Sequence, residues 1–250
     1  MPAPSQVSVA IATAHRRRLR EVWRSAGWPF QDLLEAELLV AGLLERRRDS
    51  DGRDSVRVTD AGLREIAAGL QRNRAARDAH EALVARIARE MQRAGRVVWR
   101  GLSLRARVGD AEVAAGQPAD AAGNGEVGRW VMAMPDVYSI RHTTVEDYLE
   151  PVVHEIKVHR ADLLSDLRKP GKGEAYRHIG AECWYVLRAG IAKAEEIPIQ
   201  YGVMAAHDDG TLDVLRPAPK RAMRLPFGIW MALARASPEP FEDDAQAPLR

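Results

Sequence analysis

The stretch HEIKVHRADLLSDLRKPGKGEAYRH, residues 154–178, holds three of the five lysines in a 250-residue chain that otherwise uses 32 arginines for positive charge. Spread evenly, the five would put about 0.3 lysines into residues 157–172, yet Lys157, Lys169 and Lys172 all stand there. The same stretch decides the fold. Its first residues belong to EPVVHEIKVH (150–159), a strand-like run in which residues two apart share a face. Glu155 and Lys157 therefore point one way, and His154, Ile156 and Val158 the other. A helix follows over roughly 161–182, broken at Lys169-Pro170-Gly171, where proline supplies no N–H. CWYVL (183–187) then reads as a further strand.

Upstream, RWVMAMPDVYSIR (129–141) is a second strand-like run, and TTVEDYL joins it to the first in a predicted hairpin. RDAHEALVARIAREMQRAG (77–95) is an amphipathic helix with Leu83, Val84, Ile87 and Met91 on one stripe, closed by Gly95 before the strand-like VVW. Residues 105–128, rich in Ala, Gly and Asp, predict a long flexible insertion. Downstream, IPIQYGVMAAHDDGTLDVLRPA (197–218) predicts a hairpin turning at Asp209-Gly210. The acidic, Pro-rich 236–250 predicts a disordered tail. The order helix, strands, hairpin, helix, strand predicts an α/β domain over 76–235, a mixed sheet flanked by helices.

The beginning of the chain differs. HRRRLREVWRSAG (15–27) sets Leu19, Val22 and Trp23 on one helical face, and FQDLLEAELLVAGLLERR (30–47) continues as helix to about Gly42. LLERRRDSDGRDSVRVTDAGLREIAAG (43–69) then reads as strand, charged turn, strand SVRVT, and a helix begun by Thr59 or Asp60. Residues 14–70 resemble the winged-helix segment of bacterial regulators, which implies a 1–75 α+β unit facing DNA. Arg46, Arg47 and Arg48, with Arg53 and Arg57, would meet phosphates from the wing. The helix that should enter the major groove instead carries Asp32, Glu35 and Glu37, which phosphates repel, so packing or dimerisation is an equal alternative.

Charge follows this division. Residues 1–107 carry 21 basic and 13 acidic side chains, net +8; residues 108–250 carry 16 and 22, net −6. No run approaches the ~20 apolar residues of a membrane span, and the N-terminal basic residues follow the apolar stretch, the reverse of a signal peptide. A single cysteine, Cys183, excludes an internal disulfide and points to a reducing, cytoplasmic compartment, with the thiol structural and buried.

Glu155 and Lys157 on one strand face make at least a salt bridge. Asp136, after Pro135 on the neighbouring run, adds a second carboxylate, and two carboxylates near one lysine suit a hard divalent ion and an activated water. Lysine can lose its proton where burial lowers its pKa, whereas arginine stays protonated, which would explain lysine at 157. These residues resemble the PD-(D/E)xK signature of restriction-endonuclease-like nucleases: Pro135-Asp136, then Glu155-Ile156-Lys157 nineteen positions on. Residues 156–187 look most like bacterial MmcB-type DNA-repair proteins. The tripeptide alone is weak, since about 0.7 acid-x-Lys matches arise by chance; the strand context and helix placement carry the resemblance.

The resemblance implies Asp136 and Glu155 as ligands of Mg²⁺ or Mn²⁺, the Ile156 carbonyl as a third, and Lys157 as the residue that positions or activates water. It also implies a carboxylate from the preceding helix: Glu81, with Glu90 as rival. Arg160, Lys169, Lys172 and Arg177 would line the approach and meet phosphates, or be solvated charges. Tyr176 is assigned to core packing. The expected activity is DNA phosphodiester hydrolysis in repair or defence; a homodimer, an RNA substrate and a non-catalytic winged-helix regulator all remain open. His154, Glu155 and His159 miss the spacing of a zinc-protease motif, and no G-x-S-x-G or phosphate-loop motif occurs.

Overall fold

The computed structural model describes residues 9–25, 27–108 and 129–241. Most of the predicted insertion (109–128) and most of the predicted tail (242–250) lie outside these. The chain divides into a first unit, residues 1–77, and a second, residues 78–250.

The first unit is an α+β segment. Helices α1 (Thr13–Arg24) and α2 (Leu33–Val40) precede an antiparallel hairpin, β1 (Leu44–Arg48) and β2 (Asp54–Val58). Asp32 caps α2 by accepting the Glu35 N–H at 2.9 Å. Leu19, Val22, Leu38, Leu44, Val56, Val58 and Ile66 form its core. Trp23, expected on the inner face of α1, is instead exposed; the buried stripe is His15, Leu19 and Val22.

Helix α3 (Asp60–Arg93) is continuous where the sequence predicted two helices. Its middle, LQRNRAAR, is made of strong helix formers apart from Asn73, and Gly69 costs only about 1 kcal/mol. At its start Gly62 packs against the Leu43 carbonyl so closely that a Cβ would lie 2.3 Å from the oxygen.

The second unit is built on a six-stranded mixed sheet in the order β10-β9-β8-β7-β6-β3. These are β3 (Arg96–Arg100), β6 (Val137–Arg141), β7 (Val152–Lys157), β8 (Glu182–Arg188), β9 (Gly202–Ala206) and β10 (Leu212–Arg216). Strands β3, β6 and β7 are antiparallel neighbours, β7, β8 and β9 run parallel, and β10 returns antiparallel through the predicted turn. A separate hairpin pairs β4 (Leu104–Val108) with β5 (Arg129–Ala133).

Two departures have simple causes. RWVMAMPDVYSIR is not one strand, because Pro135 cannot donate to a ladder; it breaks into β5 and β6 at Met134-Pro135-Asp136. Residues 105–108, assigned to the insertion, are strand, because Leu104, Ala106 and Val108 alternate into the core.

The sheet is covered on both faces. Leu83, Val84, Ile87 and Ala88 of α3 pack on Val98, Val137, Ile156, Val158 and Val186. The other face packs Tyr138, Val153, Tyr185 and Leu187 against α4 (Arg160–Leu167), α5 (Pro170–Ile179) and α6 (Phe227–Arg235). The α4–α5 break falls at the predicted Lys169-Pro170; α6 was not anticipated. Beyond α6, Glu239 donates its N–H to the Val98 carbonyl of the edge strand β3 at 2.7 Å. Among the described residues no helix is long and apolar enough to cross a membrane.

Candidate active site

Strand β7 is buried along nearly its whole length, as the middle of a covered sheet must be. Glu155 lies in it at only 4 % exposure. An ionised carboxylate in such a place is tolerable only with partners on its oxygens. Three donors supply them. Lys157 Nζ and Lys172 Nζ each lie 2.6 Å from Glu155 Oε1, and the Tyr176 hydroxyl donates to Oε2 at 2.6 Å.

The elements explain the convergence. Lys157 is two residues along β7, on the same face as Glu155. Lys172 and Tyr176 are four apart on α5 and so share a helical face. Gly173 lets that helix approach: a Cβ there would fall 2.0 Å from the Tyr201 hydroxyl. From α4, buried Asp166 adds a second carboxylate, 2.8 Å from Lys172 Nζ and 3.4 Å from Lys157 Nζ. The Tyr185 hydroxyl stands 3.4 Å from its other oxygen.

Asp136 completes the group where β6 and β7 part. The β6 ladder ends at Val137 opposite His154. One step beyond, Asp136 Oδ2 accepts the Ile156 N–H at 2.7 Å, replacing a ladder bond with a carboxylate. In a strand the carbonyl of a residue points to the same edge as its N–H, so the Ile156 carbonyl also lies on this edge, past its last β6 partner. His80 of α3 reaches the same Asp136 oxygen, with Nε2 at 3.4 Å.

These contacts set the proton positions. Burial lowers the Lys157 pKa, but Glu155, Asp166 and Asp136 together carry it above the ordinary lysine value. With Glu155 and Asp166 this close, Lys157 acts as a donor and a positive charge in this arrangement. The hydrogen bond to Asp136 raises the His80 pKa, against an opposing effect of burial. Burial, then Glu155, pushes the Tyr176 hydroxyl upward, so it stays protonated and donates.

Asp136, Glu155, Ile156, Lys157 and Lys172 thus fall together, and the other expected residues do not join them. Glu81 is 64 % exposed and lies 3.5 Å from His80 Nδ1; Glu90 pairs with Arg93. Arg160 forms a two-pronged pair with Glu196 and donates to the Ile191 carbonyl. Lys169 is the exposed N-cap residue of α5, and Arg177 is exposed in its last turn. In the first unit, Arg46 lies 3.4 Å from buried Glu35, Arg47 2.7 Å from Glu45, and Arg48 3.9 Å from Asp54. That unit also holds an open groove of about 770 Å³ lined by Trp23, Glu45, Arg47 and Arg57, with none of the candidate catalytic residues in it.

Asp166, His80 and the hydroxyl role of Tyr176 escaped the sequence reading. Among the described residues no three His, Cys, Asp or Glu side chains are grouped so as to hold a metal ion. Compared with known proteins, the chain matches no family, no curated protein and no solved structure.

Proposed function

We propose that the second unit is a restriction-endonuclease-like, divalent-cation-dependent nuclease that hydrolyses DNA phosphodiesters, in repair or in defence against foreign DNA. The observation that carries this reading is the meeting of Asp136, Glu155 and Lys157 at the end of β7, with Asp136 Oδ2 holding the Ile156 N–H. Charged groups in a covered sheet oppose folding unless they are paired, so their concentration here fits a functional site.

The donor set suits a hard ion held mainly by water. Asp136, Glu155 and the Ile156 carbonyl offer oxygen only, and Mg²⁺ keeps several waters when few protein oxygens bind it. Bound there, Mg²⁺ or Mn²⁺ would lower the pKa of a water and neutralise charge on the phosphate. The chain's own residues do the rest. Lys157, anchored by Glu155 and Asp166, presents a fixed positive charge toward an incoming phosphate oxygen. Tyr176 keeps Glu155 from turning, and His80 keeps Asp136 against β7.

The first unit, read as a winged helix, would add DNA affinity through Arg46, Arg47 and Arg48. Each of these already faces an acidic side chain, so the wing would contribute a salt-sensitive contact only after exchanging partners.

One observation favours a second reading. Both Glu155 oxygens already hold donors and no three-ligand cluster is present among the described residues, as in a nuclease-like scaffold that binds without cutting. A panel of supercoiled, linear, flapped and single-stranded DNA, plus RNA, incubated with Mg²⁺ or Mn²⁺, separates the readings. Metal-dependent cutting by wild type that falls at least a hundredfold in both Asp136→Ala and Lys157→Ala is the expected result. Binding without cutting supports the scaffold, cutting confined to RNA changes the substrate, and cutting that survives either substitution refutes the site.

A further inference from the structure

The carboxylate of Glu155 has no vacant oxygen. Oε1 takes Lys157 and Lys172, and Oε2 takes Tyr176. Oε1 carries an ammonium on each of its two acceptor sites, so an ion that used Oε1 would have to replace Lys157 or Lys172, and these donors and Tyr176 are held very differently.

Lys157 springs from β7 itself, its side chain 11 % exposed, with Asp166 also within 3.4 Å. Tyr176 is a core residue, packed among Tyr138, Leu163 and Ile179, and its hydroxyl lies 3.0 Å from the Met134 carbonyl as well. Neither can leave without opening the core. Lys172 is different. Its side chain is 31 % exposed and rises from the first turn of α5 between Gly171 and Gly173. Its ammonium, on a flexible four-carbon stem, can swing to solvent by rotamer changes alone.

Its position is also that of a cation. Lys172 Nζ sits 2.6 Å from Glu155 Oε1 and 2.8 Å from Asp166 Oδ1, bridging two buried carboxylates from different elements. Resting on the metal-dependent reading above, we propose that Lys172 is a displaceable internal counter-ion: in the ion-free chain its ammonium holds Glu155 and Asp166 together, and a divalent ion engaging Glu155 Oε1 expels it. Lys172 then sets the affinity of the site for its ion, because every ion bound must do the work of breaking two short ammonium–carboxylate contacts. It also gives the buried carboxylates a partner whenever the ion is absent.

The test is Mn²⁺ binding to the full chain without nucleic acid, read from the electron paramagnetic resonance signal of free Mn²⁺. Wild type is compared with Lys172→Gln, which keeps a donor but loses the charge, Lys172→Arg, which keeps the charge, and Asp136→Asn. The expected result is at least tenfold tighter Mn²⁺ binding in Lys172→Gln, with Lys172→Arg within about threefold of wild type by the charge argument. Asp136→Asn should weaken binding in either background.

If wild type binds Mn²⁺ in an Asp136-dependent way but Lys172→Gln binds no tighter, the counter-ion role is wrong and the metal site stands. If neither protein shows Asp136-dependent binding, both fall. A second measurement needs no variant: reductive methylation of the wild-type lysines, mapped by mass spectrometry with and without Mg²⁺. Lys172 should label faster with the ion while exposed Lys193 does not change; equal labelling of Lys172 in both conditions overturns the proposal.

Discussion

His154 and Glu155 are consecutive residues of β7, both almost fully buried, and the fold treats them in opposite ways. Glu155 faces α5 and has its two oxygens bonded by Lys157, Lys172 and Tyr176. His154 faces the other side of the sheet, its ring stacked on Trp184 at 6.5 Å, and its Nδ1 has no hydrogen-bond partner among the described residues. Burial, reinforced by Arg96, lowers its pKa to about 3, so it stays neutral. An imidazole can enter a sheet interior by giving up its proton. A buried carboxylate needs donors from several elements, and those donors gather around Glu155 and not around its neighbour.

The comparison is broken most severely by Glu155→Ala. Lys157 and Lys172 would be left sharing Asp166, and the Tyr176 hydroxyl would lose its charged acceptor. Removing one member of such a buried group should cost about 3–5 kcal/mol in urea unfolding at pH 7. Glu155→Gln, which keeps the shape, should cost less. A loss below about 1 kcal/mol for the alanine variant would mean that water replaces the carboxylate readily and that the site is far wetter than its burial implies.

His154 gives the next largest effect, and it depends on pH. Its pKa in the fold is about 3, while the unfolded chain has the ordinary value near 6.5. Between these limits only the unfolded state takes up the proton. The stability linked to His154 is therefore fully present above pH 6.5 and is lost as pH falls toward 3, by about 3 kcal/mol at pH 4. His154→Leu, which removes both the titration and the unsatisfied nitrogen, should flatten unfolding free energy across pH 7.5 to 4 relative to wild type. Parallel curves for the two proteins would assign the acid sensitivity elsewhere, for example to the carboxylates of the site.

Much of this contrast was legible in the sequence, because a period of two along EPVVHEIKVH separates the faces of His154 and Glu155. So were the mixed sheet, the broken α4–α5 helix and the β9–β10 turn, each resting on local chemistry. The partners from other elements were harder. His80 precedes Leu83, Val84 and Ile87 by three, four and seven residues and so lies on the buried stripe of α3, whereas Glu81 is turned away from it. That spacing was available, but a carboxylate was expected and the stripe was not extended to a histidine. Asp166 is three residues from buried Leu163 on α4, an acid on an apolar face; nothing local reveals that it meets Lys172, because that contact is made only when α4 and α5 fold back on β7. Helix α6 begins after Pro226 and carries Gly228, a poor helix former, in its first turn, which burial of Ile229 and Leu233 offsets.

Tyr176→Phe sharpens the contrast with the smallest change, a single oxygen. The hydroxyl is one of three donors to Glu155, and its loss leaves both lysines in place, so the expected destabilisation is about 1–2 kcal/mol, toward the lower end for a hydrogen bond to a charged group. Lys172 and Tyr176 act on one carboxylate, and the ammonium also lies 5.3 Å from the Tyr176 ring centroid. The double variant with Lys172→Gln should therefore depart from additivity by more than about 0.5 kcal/mol in a double-mutant cycle. A Tyr176→Phe variant as stable as wild type would mean that the hydroxyl's contacts with Glu155 Oε2 and with the Met134 carbonyl add nothing net to folding. In the same variant Glu155 Oε2 lacks its donor while both ammoniums remain on Oε1, so Mn²⁺ binding that tightens in Tyr176→Phe and not in Lys172→Gln would place the ion on Oε2 and leave the counter-ion where it is.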